Sequence, residues 1–359
     1  MPQPNTSQPG LSADSPSTRR AAHQLITAHT GVVITVYLGA DADTPAGIAA
    51  GIALLGDTVE AYAHVIAAPR HIVLSVDGPG PGVTVARQVA ATYGVPALYA
   101  PTNGGKLAAA RLGAEHLLQD DSIQYIALVD QDGDHFANEL LNLGRMAHHV
   151  ASETGRSDVL VMGSRLSKAR GLGMLRADGE ELANRILLDA LHYHAAVTAT
   201  PLPLQYALPL ESVPDFHAGY KLFSRAVAVE VFTGVPNLAD CPPATYFRHA
   251  IEAVMVVESL AAGATLATVS RRTYDEQPMS IFAQINRAQL TADLIIWPCK
   301  RLAIPAPFVA QWLTNHLPCM PLTTLLPHGR EELLNVARLV HAAFQLPPPA
   351  DNLPRPRFI

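Results

Sequence analysis

A chain of 359 residues with 49% hydrophobic and only 16% charged side chains has ample material for a large buried core and is no small stapled scaffold. Its formal net charge of −6 and pI near 6.2 exclude a broad basic field for gripping a nucleic-acid backbone, so no nucleic acid is expected as a partner. Three cysteines, Cys241, Cys299 and Cys319, stand far apart with no CxxC pair, which excludes a disulfide framework or a zinc knuckle and suits a reducing cytoplasm.

Residues 1–20 are rich in Pro, Ser, Thr and Gln and lack the apolar stretch of a signal peptide, so residues 1–28 are expected to be a disordered leader. Apolar runs then alternate with helical stripes: strands over 32–38 and 72–76, helices over 46–67 and 83–93. A short strand at 97–99, a helix over 107–118 and the buried-strand signature of 125–129 follow, the last ending directly in Asp130. Helices over 138–152 and 180–197 bracket a strand at 158–162; a proline-rich loop spans 198–214 and order resumes over 219–232. A helix over 246–262 and a strand at 265–269 complete the pattern. The order predicts an α/β fold with a mostly parallel sheet flanked by helices, over 29–280. Beyond it come a helical C-terminal region, 281–346, and a Pro-rich tail, 347–359. No apolar run reaches the roughly 20 residues of a membrane span, because Pro298, Lys300, Arg301, Pro305 and Pro307 interrupt the best stretch; only peripheral membrane contact is allowed for.

In open α/β sheets ligands sit beyond the carboxyl ends of strands, so acids placed just after a buried strand are positioned for chemistry. Asp130-Gln131-Asp132-Gly133-Asp134 meets that condition. Two carboxylates two residues apart can share a hard cation that also takes phosphate oxygens, which makes Asp130 and Asp132 the expected ligands of Mn2+ or Mg2+. An EF-hand loop is the rival reading, but His135 stands where that loop needs glycine and Leu141 where it needs glutamate. Upstream, Asn103-Gly104-Gly105-Lys106 opens an Ala-rich helix, a place where backbone can approach phosphate.

The order of these motifs resembles the GT-A glycosyltransferases of family 2, particularly the dolichyl-phosphate mannose synthase-like branch. The likeness runs from about Val32 to Ser280: a first strand reaching Tyr37, Asp77-Gly78 after the second, Asn103 to Lys106, and the Asp130-x-Asp132 turn. It continues with Gly163-Ser164-Arg165, with Asp215-Phe-His-Ala-Gly219-Tyr-Lys221, and with Glu252 eleven residues before Gly263. The resemblance implies a GT-A fold and a metal-dependent, inverting transfer of a sugar from a nucleotide-sugar donor to an acceptor hydroxyl or phosphate, on a small-molecule or lipid-linked acceptor. It implies Glu252 as general base and Asp215 beside it in catalysis. It places Tyr37, Asp77, Asn103, Lys106 and Asp130 around the donor, with Arg165 and Lys221 facing the diphosphate. The chain departs from the family in its single Asp77 where paired acids are usual, and in lacking Gln-x-x-Arg-Trp. A sugar-phosphate nucleotidyltransferase and a non-catalytic sugar-nucleotide-binding protein are the alternatives. His249, one turn before Glu252, is a further base or an orienting partner for it.

Overall fold

The computed structural model describes residues 16–207, 213–274, 286–326 and 328–350. Its centre is a seven-stranded sheet: β1 (Thr30–Val36), β2 (Ile72–Val76), β3 (Ala97–Tyr99), β4 (Tyr125–Asp130), β5 (Val159–Arg165), β6 (Lys221–Ser224) and β7 (Thr265–Arg271). The order is β3-β2-β1-β4-β6-β5-β7, and every pairing is parallel except those of β6 with β4 and β5. This is the expected α/β class, a mostly parallel sheet covered by helices on both faces, with a helical C-terminal region.

The strands are apolar on both sides because both sides are buried. On one face Val32, Ile34, Val36, Ala127 and Val129 pack under α2 (Pro45–Ala63), α3 (Pro81–Tyr93) and α5 (Glu139–Thr154). On the other, Val33, Ile126 and Leu128 pack under α4 (Lys106–Leu117), α6 (Lys168–Thr198), α7 (Arg225–Thr233) and α8 (Ile251–Ala261). Ser167 starts α6 by accepting from the Arg170 N–H at 3.3 Å, and the helix runs well ahead of the expected 180–197, with a bend at Gly173, φ 74°.

One expectation is corrected. Within the supposed leader, residues Pro16–His29 form helix α1, with Ile26 fully buried against Gly144 of α5, where there is no room for a Cβ. The C-terminal helices α9 (Arg287–Arg301), α10 (Ala306–His316), α11 (Leu322–Leu325) and α12 (Gly329–Ala343) belong to the same core as the sheet. Trp297 of α9 is fully buried, its indole donating to the Asn237 carbonyl at 3.0 Å and standing edge-on to Tyr246 at 5.6 Å. No helix among the described residues is long and apolar enough to cross a membrane. Of the expected tail, residues 347–350 form no helix or strand and the remainder lies outside the described residues.

Candidate active site

Strands β1 and β4 lie side by side, with Thr35 in register with Asp130, so the end of β1 and the acidic turn after β4 share one edge of the sheet. Gln131 ties them together: its side chain accepts from the Tyr37 N–H at 3.0 Å and donates to the Tyr37 carbonyl. The Tyr37 residue is 38% exposed beside this clamp.

Asp77 stands at the end of β2 and its carboxylate accepts from the Gly104 N–H at 2.7 Å and the Gly105 N–H at 3.0 Å. It therefore shapes the turn that starts α4. Gly105 has φ 101°, and the backbone of Phe247 lies where its Cβ would stand, so glycine is required on two counts. The Arg248 guanidinium donates to the Asn103 carbonyl, while Asn103 Oδ1 is buried with no partner among the described residues.

The turn delivers Lys106 to the acids. Its Nζ lies 2.7 Å from Asp130 Oδ1 and 3.3 Å from Glu252 Oε1. Burial alone would depress this ammonium, but the two carboxylates outweigh it and hold its pKa above the ordinary lysine range. Burial would raise Asp130; Lys106 outweighs it and keeps the carboxyl well below its usual range. The Asp130 N–H donates to His135 Nδ1 at 3.0 Å, and burial keeps that imidazole neutral.

Asp132 is different: it is 7% exposed, and burial first, then the charge of Asp130, push it up to about 7. Its Oδ1 accepts the Asp134 N–H at 3.2 Å. Asp134 is a brace for the turn, accepting from the Tyr274 N–H at 2.7 Å and pairing with buried Arg271 at 3.5 Å. Among the described residues no group of three or more His, Cys, Asp or Glu side chains could hold a metal unaided. The donor set nonetheless fits a hard divalent cation: Asp132 is a carboxylate in a buried place that its neighbour Asp130 makes more negative, and a cation there relieves both effects.

Arg165 and Lys221 do not stand where the sequence reading put them. Arg165 ends β5 and is spent on Asp215: Nε at 2.8 Å, Nη2 at 2.6 Å and the backbone N–H at 3.1 Å. The same Nη2 lies 2.7 Å from Glu180, so Asp215 is the partner of a buried guanidinium, not a group facing a substrate. Burial opposes ionisation of Asp215, and Arg165 overrides it, leaving the carboxyl well below its usual range. Lys221 is fully buried, donates to the Phe216 carbonyl at 3.1 Å and to that of Ala218, and burial lowers it to about 8.

The structure thus brings together Lys106, Asp130, Asp132 and Glu252, with Asp77 and Asn103 supporting the turn beneath. Gly219 passes against Asp130, a Cβ there standing 3.3 Å from Oδ2. Gln131, Asp134, His135 and Arg271 were missed as supports, although two of them lie inside the acidic motif and His135 directly follows it. Also missed was Asp293 of α9, which bonds His249 at 2.6 Å. No family model matches this chain, and no curated protein matches it. Among solved structures it is similar to the crystal structure of S. aureus TarS 1-349, with TM-score 0.41 and 12% identity over 88% of this chain and 81% of that one. At that distance the likeness bears on neither activity nor mechanism.

Proposed function

We propose that the chain is a metal-dependent glycosyltransferase that takes a nucleotide-sugar donor, and that its transfer is inverting. The observation that carries this reading is the pair Asp130 and Asp132 at the end of β4, with Asp132 buried and held near neutrality by burial and by Asp130. Asp130 and Asp132 would hold Mn2+ or Mg2+, which when bound supplies positive charge to a diphosphate leaving group. Lys106 is a cation that reaches the same place: as the bond to phosphate breaks, its ammonium stabilises the charge that grows there. Glu252, with Oε1 on Lys106, aims that ammonium. Arg165 and Lys221 have no part in this step, and Tyr37 stays at the donor edge.

The test is incubation with a panel of nucleotide-sugars, with and without Mn2+, measuring released nucleoside diphosphate. Metal-dependent release that Asp132→Asn abolishes is expected. Release of pyrophosphate instead marks nucleotidyl transfer, and binding without any release marks a non-catalytic sugar-nucleotide-binding protein; either outcome removes the transferase reading.

A further inference from the structure

Immediately before α8 the chain makes a π turn, Thr245–His249, and leaves it through Ala250 at φ −89°, ψ 21°. Single π turns inside helices interrupt the regular ladder and re-aim side chains, and they recur at functional sites. This one lies over the start of α4: Phe247 backbone abuts Gly105, the glycine that precedes Lys106, and Arg248 bonds Asn103 two residues before that glycine. Three residues after His249, Glu252 reaches Lys106 itself. His249 thus stands on the turn that packs over Asn103 and Gly105, three residues ahead of Glu252.

Its imidazole is held by a carboxylate from the C-terminal helices. Asp293, 4% exposed, takes His249 Nδ1 at 2.6 Å and the Thr245 hydroxyl at 3.1 Å on Oδ2, and the Gln289 amide at 2.8 Å on Oδ1. Three donors fix the carboxylate, and the carboxylate in turn fixes the tautomer: Nδ1 carries the hydrogen, Nε2 the lone pair. The His249 side chain is 20% exposed, and no described residue bonds Nε2. Glu252, by contrast, already has one oxygen on an ammonium.

The geometry points to His249 as the general base of the reaction, with Asp293 as its positioning residue and Glu252 as the anchor of Lys106. The inference rests on the glycosyltransferase reading and narrows it to an acceptor that attacks through a hydroxyl. The acceptor O–H breaks and its proton passes to His249 Nε2, while the oxygen forms the new bond to the anomeric carbon. The bond from that carbon to the diphosphate breaks, its electron pair leaving on the phosphate oxygen. Asp293 stabilises the imidazolium until the proton goes to solvent.

Water serves as the test acceptor. Release of nucleoside diphosphate from the nucleotide-sugar panel is measured with Mn2+ for the wild type, His249→Gln, His249→Gly and Asp293→Asn, alongside calorimetric binding of the nucleoside diphosphates. His249→Gln keeps a donor for Asp293, so it is expected to bind within about twofold of wild type and to release at least about 100-fold more slowly. Added imidazole is expected to raise the His249→Gly rate at least about tenfold, and Asp293→Asn to fall between. Wild-type release matched by His249→Gln, or no imidazole rescue, overturns the assignment. Binding by the wild type without release overturns the transferase reading itself and this inference with it, a result distinct from the first.

Discussion

Lys106 Nζ stands 2.7 Å from Asp130 Oδ1, on one of the two carboxylates expected to take a metal. An ammonium there competes with a divalent cation in the free protein and joins it once a diphosphate is present, because the phosphate oxygens then need both. Lys106→Met should therefore bind Mn2+ alone about three- to tenfold more tightly than wild type, yet lose at least tenfold in nucleoside diphosphate affinity when Mn2+ is present. Calorimetry with each ligand alone and together measures both; parallel weakening would show Lys106 merely holding the fold.

Asp132 supplies a pH signature in metal-free protein. A carboxyl raised from 3.8 to about 7 by burial and by Asp130 favours the folded chain while protonated, so its stabilisation is whole below about 4 and is lost as pH rises through 7. The effect is on the order of a few kcal/mol, at about 1.4 kcal/mol for each pH unit of displacement. Asp130, depressed, acts only below about 4 and does not overlap. Buried His217, lowered to about 4, and His135, also lowered, pull the opposite way across part of the same window. The difference between wild type and Asp132→Asn isolates the carboxyl. In urea denaturation with a chelator, the variant should gain on wild type steadily from pH 4 to pH 7 and then hold constant.

Much of this was legible along the chain. β1, β2 and β4 are continuous apolar runs because parallel strands are buried on both faces, and the acids after β4 sit where such a sheet opens. β6 was not legible as an antiparallel insertion, since its four residues look the same whichever way the strand runs. Arg165 and Asp215 were each noticed, but nothing in one dimension shows that residues fifty apart close on one another. Helix α1 was hidden by the polar residues around it; its stability comes from burying Ile26 against α5, a tertiary effect that local propensity does not carry. Asp293 carried no signal, because a lone acid in a helical pattern ordinarily faces water.

The Arg165–Asp215 pair predicts a stability effect in place of a catalytic one. Asp215→Asn removes the bidentate acceptor from a buried guanidinium and leaves Glu180 as its carboxylate partner. Breaking one side of such a pair costs about 3–5 kcal/mol. Chemical denaturation should show a loss of that order, while donor turnover at a temperature where the variant remains folded should stay within about threefold of wild type. A hundredfold fall in turnover with unchanged stability would return Asp215 to the reaction.

A second buried pair predicts coupling. The His217 N–H donates to Asn184 Oδ1 at 3.3 Å, which fixes the orientation of the amide, and His217 Nδ1 lies 2.7 Å from the same oxygen. Nδ1 must therefore carry the hydrogen, which leaves Nε2 a bare acceptor and the Asn184 amide a bare donor, both buried without a partner among the described residues. Buried polar groups of this kind commonly hold ordered water. Asn184→Leu should cost about 1–3 kcal/mol because it strands the ring and the backbone N–H together. His217→Phe in that background should then cost at least about 1 kcal/mol less than His217→Phe alone, since its partner is already gone. A double-mutant cycle in urea measures the difference; strictly additive losses, or a high-resolution crystal structure with no water between the two groups, would show that they do not act as one unit.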